Sequence, residues 1–174
     1  MRRLLSAIAV SLGPGLAFGA AAMADDLPQS GTLKLHSATK NNSQGFEVGE
    51  KHFMGSGNGW GVTYNDAGSG PLHMRAWLCT FTFDDVNGSY DAGGGCAFGD
   101  PGGADKIFIV WSGKGTNKVG GLGTGTGTIT GGTGTYAGIQ GKMAWQCTTV
   151  DPSQGLSACT QQFDYQLSGA ASTG

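Results

Sequence analysis

Reactive side chains are scarce in this chain: 13% of its 174 residues are charged, and it holds three histidines and four cysteines. His36, His52 and His73 lie far apart, with neither H-x-H nor H-E-x-x-H spacing, so shared metal ligation is not indicated. Asp100 and Asp105 bracket DPGGAD, but Gly102 and Ala104 stand where a calcium loop needs oxygen ligands. No serine sits in a G-x-S-x-G elbow. Gly113-Lys114 and Gly141-Lys142 have Phe108 and Tyr136 where a phosphate loop needs its first glycine. One constellation remains. If Phe46 and Val48 face a core, strand alternation carries Glu50 and His52 the same way; Trp77 and Cys79 bring His73 and Arg75, and Gln161 follows Cys159 and Phe163. Glu50, His52, Arg75 and Gln161 converging among aromatic rings would make a ligand or acid–base site. Strand ends or a bulge would instead carry Glu50, His73 and Arg75 into solvent.

The elements that position these groups are strands. Apolar residues alternate at Leu33 and Leu35, at Trp60, Val62 and Tyr64, at Ile107, Ile109 and Trp111, at Met143, Trp145 and Cys147, and at Phe163, Tyr165 and Leu167. KNNSQG (40–45) is expected to end the first strand, Phe46–Met54 to form the second, and GSGNG (55–59) to turn the chain into the third. Leu72–Phe83 has apolar residues on both faces, which predicts a bulge near Leu78. Both faces of Lys106–Trp111 are apolar, so a terminal segment or a neighbouring subunit is expected to cover the outer one. With no convincing helix and many tight turns, the chain reads as all-β, and a closed antiparallel barrel is favoured over a sandwich because closure removes exposed edges.

Cys79, Cys96, Cys147 and Cys159 are best explained as two hairpin staples. Asn87-Gly88 is the preferred two-residue type I′ turn, and counting outward from it sets Cys79 opposite Cys96. DPSQG (151–155) similarly sets Cys147 opposite Cys159. A zinc site would need four converging thiolates, and no C-x2-C knuckle occurs.

Gly113–Lys142 holds a run in which Thr124, Thr126 and Thr128 alternate with Gly123, Gly125 and Gly127. Propensity nearly cancels there, but a bare glycine face lets a ring or another backbone come close, as at the corners of a small barrel. In GGTGTYAGIQGK, residues Gly131, Gly132, Thr133, Gly134, Tyr136, Gly138 and Gly141 form a turn signature. At this point the chain resembles the allene oxide cyclase-like barrels and, more distantly, the plant dirigent proteins. The resemblance covers about eleven residues plus the general strand layout. It implies a single eight-stranded, calycin-like barrel, often a homo-oligomer, with an apolar lumen in members that hold or act on small hydrophobic molecules. It carries no catalytic residue across, because the matching segment is structural.

Residues 1–24 read as a secretory signal peptide: Arg2 and Arg3, an apolar stretch, then Ala22-Met23-Ala24 before a cut at Asp25. Residues 25–174 are then one barrel domain, exported to the periplasm or the extracellular space, with no cysteine near the cut to carry a membrane anchor. Losing the two arginines moves the formal charge from −2 to −4, which gives no basis for nucleic acid or an anionic membrane as partner. No cofactor is implied. The expected function is binding of a small hydrophobic ligand in a lumen lined by Trp60, Tyr64, Trp77, Phe81, Trp145, Phe163 and Tyr165. The alternatives are a cyclase or isomerase, in which shape steers a reactive substrate, and a structural or interaction module whose core is filled.

Overall fold

A computed structural model describes residues 27–168. The expected leader, its cleavage point and most of the SGAASTG tail lie outside the described residues. The strands are β1 (Ser30–Gly49), β2 (His52–Asn65), β3 (Arg75–Val86), β4 (Ser89–Phe98), β5 (Lys106–Thr116), β6 (Leu122–Thr133), β7 (Ile139–Asp151) and β8 (Leu156–Leu167). Each pairs antiparallel with the next, and β8 pairs with β1 to close an eight-stranded barrel. The described residues contain no α-helix and a single turn of 3-10 helix, Gly134–Tyr136. Following inward pairs from Leu35 through Gln161, Trp145, Gly125, Gly113, Ala92, Phe83 and Gly55 leads back to β1 at Gly45, ten residues further on. Such a stagger goes with strands tilted by roughly 35–45° from the barrel axis.

Both staples form as the hairpin geometry requires, Cys79 with Cys96 and Cys147 with Cys159. Asn87 and Gly88 have φ of 55° and 78°, the left-handed pair that a type I′ turn needs. On β6 the glycines face inward and the threonines outward, as expected.

Three expectations about strands fail, each for a physical reason. KNNSQG does not end β1 but runs through it, since its side chains reach solvent or the wet barrel mouth; the chain turns instead at Glu50 and Lys51. GSGNG is not a turn but part of β2, and it puts Gly55, Gly57 and Gly59 on the inner face. A side chain there would collide with neighbours: a Cβ on Gly55 would stand 2.8 Å from the Phe83 ring and one on Gly57 2.7 Å from the Phe81 ring. β3 carries no bulge at Leu78, because its register with β2 and β4 is unbroken. Leu72 and Met74 precede β3 in a turn at φ of 58° and 53°, and Leu72 swings in as a plug that is 2% exposed.

The interior has two zones. At one end Leu35, Ile107, Ile109, Ile129, Ile139 and Phe163 form a dense core, each no more than 2% exposed, with Leu72 and Tyr136 packed against it. Towards the other end the inward positions change to glycine, aromatic and small polar residues, and the interior opens. The outer face of β5 is bare among the described residues, with Phe108 and Val110 exposed.

Candidate functional site

Above the dense core lies a cavity of about 570 Å³. Its walls are Trp77, Phe81 and Phe83 from β3, Tyr90 and Phe98 from β4, Trp111 from β5, and Met143 and Trp145 from β7, with Gln161 from β8. Both disulfides lie in its lining. Asn41, Ser43, Asp85, Asn117, Thr149 and Gln154 form a polar mouth. The result is a cup with an aromatic wall, an apolar floor and a wet rim.

Local sequence explains why the rings lie where they do. Glycines on nearby strands make room for the rings. Gly125 on the adjacent strand and Gly113 on the next lie under Trp145 so closely that a Cβ on either would strike its indole, at 2.6 Å and 2.2 Å. The Tyr90 hydroxyl fills the space in front of Gly115 and Gly123. Rings lying along a glycine wall leave the centre of the barrel free, whereas branched aliphatic side chains at those positions would fill it. The rings also contact one another: Trp111 meets Trp145 edge to face at 5.5 Å, and Phe81 lies 6.4 Å from Trp111.

Polar chemistry inside the cup is sparse. The indole N–H groups of Trp77, Trp111 and Trp145 and the Oε1 of Gln161 are buried without a partner among the described residues. Gln161 Nε2 donates to Ser37 Oγ at 2.9 Å. Thr39 Oγ1 donates to the Cys159 sulfur at 3.4 Å. Burial pushes the Tyr90 phenol upward, so it stays a neutral hydroxyl at physiological pH. Asp85 at the mouth accepts the Gly88 N–H at 2.8 Å, which ties it to the β3–β4 turn. Among the described residues no group of three His, Cys, Asp or Glu could hold a metal ion.

The residues singled out from sequence divide cleanly. Trp77, Phe81, Trp145 and Gln161 line the cavity. Phe163 and Tyr165 face inward too, but at the packed end, where they belong to the core. Trp60 and Tyr64 are on the outer face, 39% and 37% exposed, because β2 turns its glycines inward. Glu50 sits in the β1–β2 turn and is exposed. His52 opens β2 on the outer face, with Nε2 2.7 Å from Asp84 Oδ1. Phe46, whose inward placement would have carried these two inside, is 66% exposed. Arg75 pairs at 2.8 Å with Asp100 on the surface. His73 accepts the Asn65 N–H outside the cup. The four-residue constellation therefore does not assemble; only Gln161 reaches the interior.

Phe83, Tyr90, Phe98, Trp111 and Met143 are wall residues that the expected site did not include, and two of them were within reach of simple counting. Trp111 continues the inward alternation of Ile107 and Ile109, and Tyr90 stands opposite Asp85 when pairs are counted from the Asn-Gly turn. Either signal would have found them.

A wider, shallower depression of about 1250 Å³ spans β1–β6. Phe46, Met54 and Phe83 line it together with Thr82, Ser112, Lys114 and Thr126, and it holds no buried unpartnered group. It is a less specific surface than the cup. A separate apolar stripe also crosses the outside: the register sets Trp60 beside Leu78, Leu78 beside Ala97, and Ala97 beside Phe108. Compared with protein-family models, with curated proteins and with solved structures, the chain gives no match.

Proposed function

We infer that this is an exported barrel that binds a small hydrophobic molecule in its aromatic-walled lumen. The observation that carries the reading is the cup itself: a cavity of about 570 Å³ that coexists with a well-packed core at the other end of the same barrel. Pockets of this size and lining, apolar with a few polar groups, are what small-molecule sites look like. The two disulfides suit an oxidising compartment, which supports export through the residue 1–24 leader. The closed meander of eight strands, with GGTGTYAGIQGK turning between β6 and β7, supports kinship with the allene oxide cyclase-like and dirigent-like barrels. A cyclase or isomerase in which shape steers a reactive substrate would use the same lumen, but Glu50 and His52, whose inward placement would have supported it, lie outside, so binding is the reading favoured here.

The test is native mass spectrometry of protein purified from its own source, together with titration by hydrophobic probes. Binding predicts a co-purifying small molecule or saturable quenching of the interior tryptophans. A ligand-free protein that also ignores the probes would end the proposal. The same spectrum counts subunits. The outer stripe of Trp60, Leu78 and Phe108 supports a second reading, association of copies of this chain as a homo-oligomer; a monomer at micromolar concentration would remove it.

A further inference from the structure

Resting on the lumen reading above, we propose that the ligand is a hydrophobic organic cation of the quaternary ammonium kind, its charged head held between the Asp85 carboxylate and the Trp145 ring. Asp85 is the one carboxylate in the cavity lining. It is half-buried, and its one hydrogen bond among the described residues is at Oδ1, from the Gly88 N–H at 2.8 Å. A carboxylate offers about four acceptor sites, so most of that capacity is unused. The ion pairs of the described residues lie elsewhere, at Asp66, Asp84 and Asp100. The one cationic side chain in the lining is Lys40, which donates to the Gln154 carbonyl. Lys40 is too distant to neutralise Asp85: the register carries Asp85 through Phe53 to Glu47 on β1, and the strand from there to Lys40 spans roughly 23 Å at the usual rise per residue. The cup therefore has a negative mouth without a counterion of its own.

The wall beside that mouth suits a positive charge. Asp85 stands beside Tyr90, and one step deeper lies the row of Phe83, Ala92, Gly113, Gly125 and Trp145. A Cβ on Gly113, Gly125 or Gly123 would meet the six-membered ring of Trp145 at Cζ2, Cε2 and Cζ3, at 2.2, 2.6 and 3.4 Å. Atoms on opposite sides of the ring thus rest on the wall, so the indole lays one face on the glycines and turns the other to the lumen. A ring face is the negative side of the aromatic quadrupole, and tryptophan is the strongest partner for a cation within about 6 Å.

Other ligand classes fit this mouth poorly. An anion would set like charge against Asp85 with nothing to offset it. A metal ion needs several oxygen ligands, and no group of three His, Cys, Asp or Glu is available among the described residues. A primary ammonium brings three N–H donors, more than one carboxylate among rings can satisfy. A neutral molecule would take water from the carboxylate and return nothing. A quaternary ammonium has no N–H to satisfy; its methyl groups pack on the ring while its charge faces Asp85.

The test compares phenyltrimethylammonium, tert-butylbenzene and benzenesulfonate, titrated by calorimetry into the disulfide-bonded protein. The three share a phenyl ring and a tetrahedral head that is positive, neutral or negative. The expected order places phenyltrimethylammonium about tenfold tighter than tert-butylbenzene, with benzenesulfonate weakest. Asp85→Asn keeps an oxygen for the Gly88 N–H and should weaken phenyltrimethylammonium about tenfold while leaving tert-butylbenzene unchanged. If tert-butylbenzene or benzenesulfonate binds as tightly as the cation, the cation assignment is overturned and the lumen reading stays intact. A cation preference untouched by Asp85→Asn would equally overturn the proposal, since Asp85 would not be holding the charge. Failure of all three to bind would remove the lumen reading and this inference with it. The wild-type comparison needs no variant, so a misfolded Asp85→Asn protein would not blunt it.

Discussion

The two ends of this barrel are built from the same strands, with the same inward–outward alternation, and they differ only in what stands on the inward positions. At the packed end Leu35, Ile107, Ile109, Ile129 and Phe163 are almost wholly buried and fill the space between strands. At the open end glycine alternates inward on β2, β5 and β6, and the large side chains are rings laid over those glycines. The lesson is that cavity and core need no difference in fold. A branched aliphatic side chain fills the space in front of its own strand; a ring over a glycine wall lies across the neighbouring strands. Stability therefore belongs mainly to the first zone and recognition to the second.

Substitution at matched ring positions would show the largest contrast. Phe163, fully buried and edge to face with Phe98 at 5.1 Å, should lose about 3–5 kcal/mol on Phe163→Ala. Phe81, half-buried over Gly57, should lose about 1 kcal/mol on Phe81→Ala, because one side of its ring already faces open space. Urea unfolding with equal slopes would measure both, and equal losses would erase the distinction between the ends.

The staples come next. Replacing Cys147 and Cys159 together by serine should cost about 3 kcal/mol, the loop entropy of the β7–β8 hairpin returned to the unfolded chain. The loss is read from the urea midpoint.

A subtler break fills the glycine wall. Gly125→Val puts its Cβ 2.1 Å from the Ser112 carbonyl oxygen and 2.6 Å from the Trp145 ring, so β5 must shift and the indole must move into the cavity. Overpacking should cost about 1–3 kcal/mol, and probe affinity should fall about tenfold. A variant that is destabilised yet binds as before would mean that the cavity is not shaped by this contact.

The smallest effect is that of pH. The Ala76 N–H, helped by Arg75, holds the Asp100 carboxyl below its ordinary value; the Ser153 hydroxyl and the Gln154 N–H do so for Asp151, and the Thr32 hydroxyl for Asp164. Each contribution is complete above the ordinary aspartate value of about 3.9 and is lost as pH falls through the lowered folded values. All three are solvent-exposed, so a slight decline confined to below about pH 4 is expected. Thermal unfolding across pH 2–7 checks this; a decline already complete at pH 5 would point to other groups.

Much of this was legible from residues alone. The Asn-Gly turn located both members of the first disulfide, and the Gly-Thr alternation on β6 announced a wall without side chains. What misled was β2. Trp60, Val62 and Tyr64 alternate with Gly59 and Gly61, and the usual rule sends the apolar set inward. That rule assumes that inward space is filled by the strand's own side chains. Here Trp77 on β3 occupies it, its Nε1 2.9 Å from where a Cβ on Gly61 would stand, so the glycines must face in. Glu50 and His52 failed differently. Their alternation was counted through a strand that in fact turns at Lys51, and a reversal at that point cancels any parity carried over from Phe46. The ring-over-glycine contact is a property of neighbouring strands, and no single segment encodes it.

The central claim is that a hydrophobic molecule enters the cup rather than coating the outer stripe. The four tryptophans make this directly measurable, since Trp60 lies outside while Trp77, Trp111 and Trp145 line the cavity. Quenching of tryptophan fluorescence by a naphthalene-sized probe should be saturable, should persist in full amplitude and affinity in Trp60→Phe, and should weaken in Trp145→Phe. Quenching that vanishes with Trp60→Phe and is untouched by Trp145→Phe would place the probe on the outside and contradict the account.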